Sequence, residues 1–154
     1  MAGKVDARLK EMGITLPAAA APVANYVPYV ISGNQLWISG QLPLWDGALK
    51  YTGQTGDAVT VDEAADAARV CALNILAQAK AALGDLDRIT RVVKLTGFVN
   101  AVPGFTDQPK VINGASNLMV EVLADKGRHA RSAVGAGGLP LGAPVEVDAV
   151  IEFA

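Results

Sequence analysis

The residues with the most chemistry to offer lie near the C-terminal end. Arg131 sits in the β-prone run Ala130-Arg131-Ser132-Ala133-Val134. A guanidinium there either ties down an edge strand or presents a planar fork that grips a carboxylate through two hydrogen bonds, which lysine cannot do. Glu146 stands in Val145-Glu146-Val147-Asp148-Ala149, where alternation puts it on one face with Asp148 and Glu152. That face is either solvated or lines a cleft, and in a cleft Glu146 is a general base or water positioner. Ser39-Gly40-Gln41 ends a strand, as a plain turn or as a pocket rim offering a hydroxyl and backbone N–H groups. The sole histidine, His129, is not recognisably paired with Ser39, so no activated serine is expected there. His129 reads as a surface or interface residue, and Trp37 and Trp45 as packing groups.

Composition narrows the classes. The chain has 154 residues, of which 51% are hydrophobic and only 18% charged. That length favours one domain with a proper core, and that polarity is too low for disorder. It is also low for a monomer that must cover itself, so a subunit interface is expected. The net charge is −2 and the basic residues are scattered, which disfavours nucleic-acid binding. One cysteine and one histidine exclude an internal disulfide and a Cys/His metal cluster. No apolar run reaches the ~18 residues of a membrane span. A cytoplasmic location is the expectation.

The elements that must position these residues follow from periodicity. Residues 4–12 read as a short helix stopped by Gly13, and 17–22 as a stiff Pro-Ala arm. Strands at 26–31 and 35–39 flank a Gly33-Asn34 turn, the first strand being apolar on both faces and therefore buried on both. Residues 40–57 read as loop. Thr60 and Glu63 form a capping box for a helix whose apolar stripe is Ala64, Ala68, Cys71, Ile75, Ala79 and Leu83, closed by Gly84. Cys71 on that stripe is a core residue. A strand at 89–99, a helix at 108–125 closed by Gly127, a strand at 130–134, a loop at 135–144 and a strand at 145–153 complete the chain. The order β-β-α-β-α-β-β gives an α+β sheet with two helices on one face, and the other face calls for self-association.

At this point the motifs resemble a known family. Tyr26, Ser39-Gly40-Gln41-Leu42-Pro43, Gly97-Phe98-Val99, Ala130-Arg131-Ser132, Leu139-Pro140 and Val145-Glu146-Val147-Asp148-Ala149 resemble, in order and spacing, the YjgF-like reactive-intermediate deaminase (Rid) family, also labelled endoribonuclease L-PSP. The resemblance implies one domain over residues 24–154 preceded by a helix and arm at 1–23. It also implies a chorismate-mutase-like fold, a homotrimer with ligand clefts between neighbours, and no metal or organic cofactor. The implied reaction is hydrolysis of small 2-imino or 2-enamino acids to 2-oxo acids and ammonia. Arg131 would clamp the substrate carboxylate and Glu146 would position water. Tyr26, Ser39, Gly40, Asn113, Ser132 and Ala133 would line the site. The alternative is a protein that binds small carboxylate metabolites in the same clefts without turnover. Active deaminases carry Cys where this chain has Ala133, and the N-terminal arm is extra, which together mark a divergent branch.

Overall fold

The computed structural model describes residues 3–22 and 24–154. Its helices are α1 (Lys4–Glu11), α2 (Val61–Leu83) and α3 (Gln108–Leu123), and its strands are β1 (Tyr29–Ser32), β2 (Gln35–Gln41), β3 (Leu44–Trp45), β4 (Ala48–Leu49), β5 (Ile89–Asn100), β6 (Ala130–Ala136) and β7 (Val145–Phe153). Five strands form one sheet in the order β1-β2-β7-β5-β6. Neighbours are antiparallel except β5 and β6, a parallel pair joined through α3.

The capping box at the start of α2 forms as expected. The Thr60 hydroxyl accepts from the Glu63 N–H at 3.1 Å, and the Glu63 carboxylate accepts from the Thr60 N–H at 3.1 Å. Gly84, at φ 79°, ends the helix in a conformation open to residues without a Cβ. The whole expected stripe of α2 is buried, Cys71 included, and Ile112, Ala115, Met119, Val122 and Leu123 of α3 join it. Both helices cover the face of the sheet that carries Leu36, Ile38, Val92, Leu95, Val147 and Ile151. Leu9 of α1 enters the same core, and Asp87 holds the start of α1 by accepting from the N–H groups of Lys4 and Val5.

Close approach of the layers depends on glycine at two positions. A Cβ on Gly97 of β5 would strike the Ile112 side chain, and one on Gly114 of α3 would strike the Ala65 carbonyl of α2. The backbones of α3 and α2 therefore touch, the Ile112 side chain rests on the β5 backbone, and α3 sits low over the β5–β6 edge.

Several boundaries differ from those read from the sequence. The first strand starts at Tyr29, because Pro28 has no N–H for the ladder and residues 24–26 form a bend. It is not buried on both faces within the chain: Val30 is 51% and Ile31 50% exposed. The segment 40–57 contains the β3–β4 hairpin, whose Asp46-Gly47 turn has both residues at positive φ, as a tight hairpin requires. The helix expected to reach residue 125 stops at Leu123, where Ala124 turns to φ 54° and a 3-10 turn, Ala124–Gly127, follows. The strand expected at 130–134 runs on to Ala136 because Val99 and Asn100 continue to pair with it. Trp37 (51%) and Trp45 (38%) are exposed rather than packed. With Val30 and Val134, Trp37 gives the uncovered face of the sheet an apolar character.

The Gly114–Ala65 contact yields a direct test. Gly114→Ala gains helix propensity of about 1 kcal/mol but drives a methyl into a carbonyl. The net expectation is a loss of roughly 2 kcal/mol or more in urea denaturation, against a small gain if the helices had room.

Candidate functional site

Within one chain the expected site residues form two groups, one on β2 and the central strand β7 and the other on the edge strand β6. The first surrounds Glu146. Between the pairs Ile38–Ala149 and Gln41–Val147, β2 carries one residue more than β7, so Ser39 and Gly40 form a β-bulge. A Cβ on Gly40 would lie 2.8 Å from the Glu146 carboxyl carbon. Only glycine there lets the carboxyl rest on the β2 backbone. The Ser39 hydroxyl donates to the Val27 carbonyl at 2.8 Å, and the Ser39 N–H donates to Pro28. These bonds bring Tyr26 beside the bulge. Tyr26, Ser39, Gly40, Pro140 and Glu146 line a small cavity of about 50 Å³, closed on one side by Ala20, Ala21 and Pro22 of the arm. The buried Gln78 amide fixes that arm by donating to the Ala20 carbonyl at 2.7 Å. Burial raises the Glu146 pKa above the usual carboxylate value, and the neighbouring Asp148 raises it further.

The second group surrounds Arg131 on the edge strand β6. Arg131 is level with Leu95 of β5, which is buried under the helices, so its side chain rises on the α3 side of the sheet. Its Nη1 donates to Asn113 Oδ1 at 2.8 Å and to Ser116 Oγ at 3.2 Å, both on α3. None of the ion pairs among the described residues includes Arg131, so its charge is not neutralised by a carboxylate. Ala133 follows on the same side, level with Gly97, and packs partly against the core. Ser132 is level with Thr96 and faces the uncovered side.

Glu146 alternates with the buried Val145 and Val147 and therefore projects from the uncovered face, opposite to the side on which Arg131 rises. Arg131 and the Glu146 carboxyl of one chain therefore do not share a cleft. Asn113, a candidate pocket residue, accepts a hydrogen bond from Arg131.

Sequence reasoning missed a third feature. His129 is half-buried rather than a free surface group. It is paired with a serine, but the serine is Ser116: Oγ lies 2.8 Å from Nε2, while Nδ1 lies 2.6 Å from the Gly127 carbonyl. The spacing held a signal. Asn113 and Ser116 are three apart on one helix face, and His129 and Arg131 are two apart on one strand side.

This sheet, with its two covering helices and glycine-opened bulge, can be set beside known proteins. A family model described as "YjgF/chorismate_mutase-like, putative endoribonuclease" matches residues 6–152. The chain belongs to the YjgF/chorismate-mutase-like family. Protein TCP17 of Trypanosoma cruzi is 57% identical over 152 residues, covering 98% of this chain and 95% of that protein. The crystal structure of Atu1372 from Agrobacterium tumefaciens, a protein of unknown function, is 56% identical. It covers 97% of this chain and 92% of its own, with a TM-score of 0.91. The crystal structure of a "putative endoribonuclease" from Shewanella oneidensis, 38% identical, covers 98% of this chain and 100% of its own, with a TM-score of 0.95. The fold expectation is met: an α+β chain with the YjgF/chorismate-mutase-like architecture.

The raised Glu146 pKa has a thermodynamic consequence. Ionising this group opposes folding; the penalty is absent below its unfolded pKa and complete above its folded one. Glu146→Gln removes the penalty. Melting temperatures are expected to rise in the variant at about pH 8 and to match wild type at about pH 3.5. An equal change at both pH values would show that the carboxyl is not destabilised by its surroundings.

Proposed function

We propose that this chain hydrolyses small 2-imino and 2-enamino acids to 2-oxo acids and ammonia, without a cofactor, at clefts between subunits of a homotrimer. The observation that carries the reading is the separation just described. A guanidinium without a carboxylate partner lies on the edge strand β6 and rises on one face of the sheet, and a carboxyl of raised pKa lies on the central strand β7 and projects from the opposite face. Each is half of a site, and a neighbouring copy supplies the missing half. The apolar surface at Val30, Trp37 and Val134 supports such an assembly.

In the proposed cleft, Arg131 holds the substrate carboxylate and thereby fixes the adjacent C=N carbon. An iminium is already electrophilic. The Glu146 carboxylate takes a proton from water as the oxygen attacks that carbon. The resulting carboxylic acid returns the proton to nitrogen; the C–N bond then breaks as the hydroxyl oxygen forms C=O and gives its proton to the Glu146 carboxylate, which passes it to the departing ammonia, so that ammonium leaves. Substrate and water are thus converted to 2-oxo acid and ammonium with no electrons gained or lost. Tyr26, Ser39 and Gly40 bound the water side; Asn113 steadies the guanidinium, with Ser132 and Ala133 beside it on β6.

Ala133 favours a second reading, in which the cleft binds a small carboxylate without turning it over, since no thiol stands beside Arg131. RNA cleavage is disfavoured by the net charge of −2 and the scattered basic residues.

An amino-acid oxidase that generates 2-imino acids, coupled to a semicarbazide trap, tests the proposal. Wild-type protein is expected to lower the trapped imine. Arg131→Ala is expected to lose on the order of 100-fold in kcat/KM, and Glu146→Gln a similar factor, chiefly in kcat. Wild-type protein that leaves the trapped imine unchanged rules out the deaminase. Stabilisation by 2-oxobutyrate that is lost in Arg131→Ala would then establish the binding reading.

A further inference from the structure

We infer that His129 and Ser116 are positioning residues that aim the Arg131 guanidinium, leaving its Nε–Nη2 edge as the face that takes a carboxylate. The aiming stands on geometry alone; the identification of the ligand as a carboxylate rests on the function proposed above.

The chain of contacts has a fixed direction. The Gly127 carbonyl can only accept, so the proton of neutral His129 sits on Nδ1. Nε2 then carries a lone pair, and the hydrogen of the Ser116 hydroxyl is committed to it at 2.8 Å. That leaves the Ser116 oxygen lone pairs for Arg131, whose Nη1 donates to them at 3.2 Å. The second hydrogen of Nη1 goes to Asn113 Oδ1 at 2.8 Å. Both hydrogens on Nη1 are thus used by α3. Nε and Nη2 make no hydrogen bond to the described side chains or backbone. They lie along one edge of the planar group and match the spacing of two carboxylate oxygens.

Without the His129 acceptor, Ser116 behaves as other mid-helix serines do and turns its hydroxyl toward the carbonyl one turn back. The oxygen then presents its lone pairs elsewhere, and Arg131 loses one of its two anchors. Burial lowers the His129 pKa, and the adjacent Arg131 charge does so too, against the opposing pull of the Gly127 hydrogen bond. The ring is therefore neutral near pH 7, the state the relay needs.

Gly127 carries the relay because of how α3 ends. Its Cβ would strike the Met119 carbonyl, so glycine lets the 3-10 turn fold back on α3 and present its own carbonyl to the imidazole.

The experiment uses the full chain and the variants His129→Ala, His129→Gln, Ser116→Ala and Ser116→Thr. Glutamine keeps an acceptor near Nε2 but cannot serve as a base, and threonine keeps the hydroxyl. Nitrogen NMR of the arginine side chains reads the aiming without any ligand: an anchored guanidinium gives separate Nη1 and Nη2 signals, and a rotating one gives a merged signal. Arg131 is expected to be resolved in wild type, merged in His129→Ala and Ser116→Ala, and resolved again in His129→Gln and Ser116→Thr. Circular dichroism confirms that each variant is folded. An Arg131 signal in folded His129→Gln and His129→Ala that is unchanged from wild type overturns the inference.

In the imine assay, the alanine variants are expected to raise KM about tenfold with kcat within about twofold, and His129→Gln to restore KM. A fall in kcat at constant KM that glutamine fails to rescue would instead assign His129 to proton transfer. If wild type neither hydrolyses imines nor binds 2-oxobutyrate, the proposed function fails while the NMR result still decides the aiming.

Discussion

Close approach of α3 to its two supports, made possible by glycine, is the constraint on which the rest of the molecule depends. Gly97 lets the helix settle onto β5, and Gly114 lets it settle against α2. Apolar burial supplies the driving force, with Leu95, Ile112, Leu118 and Met119 fully enclosed. The glycines set the distance. At that distance Asn113 and Ser116 reach the strand beyond β5, and an arginine on an exposed edge becomes a held group.

The Glu146 pocket obeys a similar rule with different parts. There the spacing comes from an extra residue in β2, and the absent side chain at Gly40 makes room for a carboxyl against the strand. In both places a missing Cβ positions a charged group. The two charges lie on opposite sides of one sheet because strands alternate, and no small rearrangement of a single chain brings them together. The proposed function therefore calls on a second copy to bring the two together.

Much of this was legible in the residues. The capping box and apolar stripe of α2, the alternation of β7 and the apolar face of α3 carry strong periodic signals, and those elements fall within a residue or two of where the pattern puts them. The β3–β4 hairpin was missed although Asp46-Gly47 is a strong turn signal, because two-residue strands leave no room for alternation to show. The first strand was placed too early because its aromatic and β-branched residues outweighed Pro28. Its apolar character read as burial, whereas within the chain it is surface. The spacing hints at shared sides for Ser116 and His129 but does not give their pairing, for another reason. It joins a helix to the approach of a strand, and only the fold-back at Gly127 brings them within hydrogen-bond distance.

The single sulfhydryl of the chain lies at the centre of α2, fully enclosed, with its Sγ directed at the Val145 carbonyl and its ionisation suppressed by burial. Beside Arg131 stands the methyl of Ala133. Alkylating agents and peroxide act on accessible thiolates, and this architecture presents none at either candidate centre. Neither candidate centre therefore offers a thiol to the redox balance of the surroundings.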